Sequence, residues 1–255
     1  MPEMIELFGF SVALDLKLYL MCGVVFVAGI IRGFMGFGSA LLVVPALSVL
    51  YGPTLAVVVG VLIEIPTTLG LLPVAIRQAE RRTVTKMLLT FLVFVPVGTL
   101  LLKSVNPELM KAVISLVLLI MVAILAQQER MAALLSHAGT LFAGATSGVA
   151  QGMTGMGGPL FVTALLARGE SAIQTRANIV ALAGGLIAIS STSFILAGLV
   201  TRQAVIYAVL GTPAILLGVW AGSTLFRHLS RWNLRGVVLA FLALIALATL
   251  AQALV

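Results

Sequence analysis

Long, uninterrupted apolar runs decide what this chain can fold into. They are continuous and rich in Leu, Ala and Val, which excludes the alternating ten-residue strands of a membrane barrel and leaves helices. Of 255 residues, 61% are hydrophobic and 9% charged, against roughly 25% charged in a soluble domain. So few charges cannot solvate a globule of this length, and the runs must face lipid. The expected fold is an all-α polytopic membrane protein.

The net charge of +7 raises the question of nucleic acid. The basic residues, however, fall between apolar runs and form no patch interleaved with aromatics. They read as charges sorted across a bilayer, and no nucleic-acid partner is expected. Cys22 is the only cysteine, which excludes an intrachain disulfide and a cysteine-based metal site. His137 and His228 stand apart, without metal-ligand spacing. With no zinc signature and no convincing Ser/His or paired-Asp set, the chain reads as a non-enzyme without metal or cofactor. Glu3, Glu6 and Asp15 precede the first apolar run where a signal peptide would be basic, so that run reads as a retained helix.

Charges, Pro and Gly divide the chain into ten apolar stretches, near 12–31, 34–50, 54–76, 84–102, 109–126, 132–150, 153–167, 174–198, 203–226 and 234–254. Most reach the roughly 20 residues a helix needs to cross a bilayer. The second and seventh are shorter, and each opens with a glycine cluster. Those two clusters align at a constant offset of 119: Arg32, Gly33, Gly36 and Gly38 lie over Gln151, Gly152, Gly155 and Gly157, and Gly29 lies over Gly148. Farther on, Gly98, Leu101, Lys103 and Lys111 match Gly222, Leu225, Arg227 and Arg235 at an offset of 124. The chain therefore reads as two repeats, 1–128 and 129–255, of about five transmembrane or half-membrane helices each, in one membrane domain.

With ten segments, one side of the membrane receives four basic residues (Lys17, Lys103, Lys111 and Arg202) and the other receives eleven. If each glycine cluster instead joined two halves of a single crossing, Arg32 would lie at mid-membrane and the other fourteen would split seven and seven. The positive-inside rule favours ten segments. Five elements per repeat is an odd number, so the second repeat is expected to be inverted, with both termini periplasmic or exterior. Two crossings and a re-entrant hairpin preserve the same parity.

Inverted repeats with broken helices are a recurrent transporter plan, with substrate held near the midplane. Clustered glycines relax the backbone, and Pro159 suits a first helical turn, so helices are expected to start near Ser39 and Pro159. Exposed N–H groups and the positive dipole end at such starts can hold an anion. The candidate substrate-binding set is Arg32, Gly33, Gly36, Phe37, Gly38 and Ser39 from the first motif, with Gln151, Gly152, Thr154, Gly155, Gly157, Gly158 and Pro159 from the second, and Asn178 nearby. The alternative for spacings such as Gly29/Gly33, Gly144/Gly148, Gly148/Gly152 and Gly218/Gly222 is close helix packing.

At Gly33, Gly36 and Gly38, and again at Gly152, Gly155, Gly157 and Gly158, the sequence resembles the TauE/SafE family of sulfite and organosulfonate permeases. The first copy departs from the family's glycine pattern at Ser39. The resemblance implies a secondary transporter of small sulfur-containing anions in a bacterial-type inner membrane, working by alternating access without a cofactor. A passive anion channel using the same helix ends is the competing expectation. A homo-oligomer is left open.

Glu64, followed by Pro66, Thr67 and Thr68, is an acidic residue deep in an apolar run. It is a candidate to carry a coupling proton, or else a structural partner for a basic residue or for backbone freed by Pro66. Arg176 reads either as a residue reaching the second motif or as a topology charge. Ser190, Ser191, Thr192 and Ser193 read as helix–helix or back-bonding hydroxyls. The topology predicts that single cysteines at positions 80 and 230, in a Cys22→Ala background, are labelled from the same face of the membrane. Labelling from opposite faces would overturn the ten-segment count.

Overall fold

A computed structural model describes residues 4–7, 10–13, 16–35, 37–127, 130, 139–229, 240 and 242–247. A short antiparallel hairpin opens the chain: β1 (Met4–Leu7) pairs with β2 (Phe10–Ala13), Met4 opposite Ala13. The first apolar run was expected to be helical from residue 12. The helix instead begins at Leu16, and the hairpin is an exception to the all-helical expectation.

Eleven α-helices follow: α1 (Leu16–Met35), α2 (Ser39–Tyr51), α3 (Pro53–Leu62), α4 (Glu64–Leu69), α5 (Leu72–Gln78), α6 (Arg81–Ser104), α7 (Pro107–Ala126), α8 (Gly139–Thr154), α9 (Gly158–Leu166), α10 (Ala172–Leu196) and α11 (Arg202–Leu229), and among the described residues beyond them 242–247 are helical as well. Five are long and apolar enough to cross a membrane: α1, α6, α7, α10 and α11. Their outward faces carry exposed Leu92, Leu196 and Trp220, while Val43, Val57, Leu118 and Phe194 are fully buried in the core. The protein is an all-helical membrane protein apart from the hairpin.

The third apolar stretch, expected as one span, is broken. Its axis turns by 71° between Pro53–Leu69 and Leu72–Gln78. Pro73 has no N–H to give the Leu69 carbonyl, so the helix cannot run through. Leu71 instead donates to Thr68 at 3.1 Å, and the new helix takes up its ladder when Ala75 donates to Leu71 at 3.2 Å. Helices α2 and α9, of 13 and 9 residues, extend roughly 20 and 14 Å at 1.5 Å per residue. Neither can cross a core of about 30 Å alone.

Helix directions follow from the contacts. At one end of α6 and α10, Gln174 Nε2 donates to the Gln78 carbonyl at 2.8 Å, and the Glu80 N–H donates to Asn178 Oδ1 at 2.7 Å. At the other end Ser193 Oγ donates to Thr99 Oγ1, and Lys103 Nζ to the Ala197 carbonyl, each at 2.8 Å. The two helices are therefore parallel. Helix α8 also runs parallel to α6, because Gly144, Gly148 and Gly152 meet Thr90, Phe94 and Gly98 in order. Since α8 and α10 share one direction, α9 between them must run back. A reading in which α8 and α9 form a single crossing would make α6 and α10 antiparallel.

The same kind of contact joins α1 to α11. A Cβ on Gly29, Gly33, Gly218 or Gly222 would lie under 3.0 Å from backbone of the facing helix, and so would one on Gly98 or Gly152 in the α6–α8 pair. Here the small-residue spacing is used for packing. Five residues separate the end of α10 from the start of α11, on the side of Lys103. Helix α1 lies parallel to α11, so α1 and α8 set out from opposite ends of the molecule. Gly152→Ala is expected to cost about 1–3 kcal/mol through overpacking, seen as a lower melting temperature in detergent. Gly23→Ala, whose Cβ would meet nothing within 4 Å, should be neutral or stabilising by up to about 1 kcal/mol. Equal effects would remove the packing argument.

Candidate functional site

Both interrupted helices end at one cavity of about 300 Å³. Between α1 and α2, Gly38 has φ 97°, and between α8 and α9, Gly155 has φ 69°, a region side-chain-bearing residues rarely adopt. The two left-handed residues are not equivalent in the repeat. Gly157, the counterpart of Gly38, is right-handed at φ −71°, and Gly36, the counterpart of Gly155, lies outside the described residues.

The cavity floor is polar. Arg32, near the C-terminal end of α1, pairs with Glu64 Oε1 at 3.0 Å, with the two side chains 13% and 14% exposed. Arg32 also donates to Thr68 Oγ1 at 2.8 Å and to Ser39 Oγ at 3.3 Å, and Ser39 Oγ donates to Glu64 at 2.5 Å. Every member of this cluster is held by another, which is what makes a charge pair at this depth tolerable. Glu64 thus has the basic partner that the structural reading of it required, and it still lines the cavity.

On the opposite wall, buried Gln151 accepts the Gly157 N–H through Oε1 at 3.0 Å. Its Nε2 has no hydrogen-bond partner among the described residues, and the side chain lines the cavity. Gly158, at the start of α9, also lines it, and a Cβ there would meet nothing within 4 Å. Most of the remaining wall is apolar, with Phe37, Leu41, Met156, Phe161, Ile179 and Leu186 among its residues.

The candidate residues separate. Arg32, Gly33, Phe37, Gly38, Glu64, Gln151, Gly155, Gly158 and Pro159 line the cavity. Ser39 stands behind them, bonded to Glu64. Gly152 and Gly157 are packed against backbone, and Thr154 Oγ1 donates to the Ala150 carbonyl at 2.7 Å. Asn178 lies off the cavity lining, its amide taken by Glu80 and by Glu170, to which Nδ2 donates at 2.8 Å. Ser190, Thr192 and Ser193 bond to Leu186, Ala188 and Thr99, in structural use. The candidate set omitted Thr67, Thr68, Leu71, Arg176 and Ser223. The α10 contribution was readable as a helical stripe, since Arg176, Ile179, Val180, Ala183, Leu186 and Ile187 recur at spacings of three and four.

A polytopic helical membrane protein whose two helix breaks face one polar-floored cavity belongs to the class built to carry small solutes. The family described as Sulfite exporter TauE/SafE matches residues 21–249, nearly the whole chain, and the protein belongs to it. It is therefore an integral membrane transporter of a sulfite-exporter family, not an enzyme. Neither the curated proteins nor the solved structures contain a match to the chain.

Gly158→Ala should leave the melting temperature unchanged and weaken binding of a small sulfur oxyanion, on the order of tenfold for a loss of about 1.4 kcal/mol. Gly157→Ala, whose Cβ would meet the Ser147 carbonyl, should instead lower the melting temperature. If both act only on stability, the wall at Gly158 is not a binding surface.

Proposed function

We propose that the protein is a secondary transporter that carries a small sulfur-containing anion across the bacterial inner membrane by alternating access, with the anion held between the two glycine-rich helix breaks. The observation carrying this reading is that both breaks open on the same cavity from helices that start at opposite ends of the molecule. Such convergence is expected of an inverted duplication with a midplane site, and the halves 1–128 and 129–255 are read as its two copies. Gln151 Nε2, the amide at the start of α9 and the cavity-lining guanidinium groups supply the donors an oxyanion needs. Asn178, Thr154, Gly152 and Gly157 then support the site without touching its ligand. The basic face holding Arg81, Arg168 and Arg176 is read as cytoplasmic, which leaves both termini outside.

Glu64 is read as the coupling residue. Its carboxylate holds Arg32 at 3.0 Å, so an incoming anion competes with it for the guanidinium, and a proton delivered to Glu64 would release Arg32. In liposomes, sulfite should accumulate against its gradient when an ion gradient is imposed. Flux that only runs down the sulfite gradient would favour a channel. Glu64→Gln should keep anion binding while transport loses its dependence on the proton gradient. Unchanged dependence would assign Glu64 to structure alone.

A further inference from the structure

Three charged side chains line the cavity: Arg32, Glu64 and Arg176. The first two neutralise each other. Arg176, one turn into α10, is exposed and has no ion pair or hydrogen bond among the described residues. This is not for want of carboxylates nearby in the chain and fold. Glu80 and Glu170 are both held by Arg168, at 3.0 and 2.5 Å, and Asn178 bonds the Glu80 backbone and the Glu170 side chain. Both acids are thus committed to a clasp between the α5–α6 and α9–α10 turns, and Arg176 lines the cavity with no counterion among the described residues. With Glu64 ionised, these three side chains sum to a single positive charge.

We infer that Arg176 is the selectivity residue of the cavity: the guanidinium whose unbalanced charge makes the site take a monoanion in preference to a neutral molecule of the same shape. The inference rests on the transport reading above, which places the substrate in this cavity. An unpaired cation over low-dielectric walls raises the local concentration of anions and strengthens the pairing once water is displaced. Ile179, Val180 and Ala183 continue the lining from Arg176 along α10. An anion moving through the cavity would therefore find donors on both sides of an apolar stretch, first Arg176 and then Gln151.

The test compares methanesulfonate, a monoanion, with neutral dimethyl sulfone, by equilibrium binding and thermal shift on the full chain in detergent. Wild type should bind methanesulfonate in preference to the sulfone. Arg176→Gln should weaken methanesulfonate about tenfold, the effect of losing one partly screened charge pair, and leave the sulfone unchanged. Arg176→Lys should restore most of the affinity. The melting temperature without ligand should not move in either variant, whereas Arg168→Gln should lower it by breaking the clasp. Methanesulfonate affinity within twofold of wild type in Arg176→Gln, or a ligand-free melting loss as large as that of Arg168→Gln, would overturn the assignment. Wild type failing to bind methanesulfonate while binding sulfite would overturn it and leave the transport reading standing. Binding of neither would remove both.

Discussion

Two helix crossings, tight enough that only glycine fits, support everything else in this fold. Within lipid, a broken helix is tolerated only where protein covers it or a cavity hydrates it. Gly29 and Gly33 of α1 with Gly218 and Gly222 of α11, and Gly98 of α6 with Gly152 of α8, bring paired backbones together just before each break. The long partners α11 and α6 run on past the interruptions and hold the shorter helices in place. The breaks can then be irregular without loosening the bundle. The motif glycines therefore divide their work: Gly152 and Gly157 pack against backbone, Gly38, Gly155 and Gly158 face the cavity, and Gly33 does both.

Electrostatics inside the cavity are equally divided. A guanidinium at this depth would be costly alone, and Glu64, Ser39 and Thr68 engage both of its terminal nitrogens. The paired charge is a preorganised polar floor, neutral as long as Glu64 holds Arg32. Arg176, nearer the surface, remains partly hydrated and needs no such compensation.

Much of the architecture could be read from residue spacing. The glycine clusters located both breaks, and Pro159 and Ser39 marked the helix starts to within a residue. Hydropathy marked the stretches, of which the tenth lies mostly outside the described residues, but could not show that the third one bends, because Pro73 acts through a single missing hydrogen bond inside an otherwise apolar run. The site was less accessible. Whether a glycine packs or lines a cavity depends on which helix lies opposite, and Gly157 and Gly158, adjacent in sequence, have opposite surroundings. Asn178 looked like a buried donor near the motif, yet its partners Glu80 and Glu170 come from turns that only the fold brings together. The sequence leaves Arg176 open between a residue reaching the second motif and a topology charge, because its lack of a partner among the described residues is a property of three-dimensional arrangement.

The pairing of α1 with α11 has a consequence for how the protein is made. The contact surface for Gly33 is supplied by Val219 and Ser223, which leave the ribosome roughly 10–40 s later at 5–20 residues per second. Until then α1 must wait in the bilayer with an unmatched glycine face and an unfinished break beside it. Helix α6 meets α8 much sooner, its Gly98 joining Gly152 across a shorter stretch of chain. Biogenesis is therefore expected to be ordered: a middle pair forms while the chain is still being synthesised, and the first and last helices close the bundle around it. A premature stop beyond α9 would strand the first half without its partner, leaving the membrane's quality-control proteases a recognisable target.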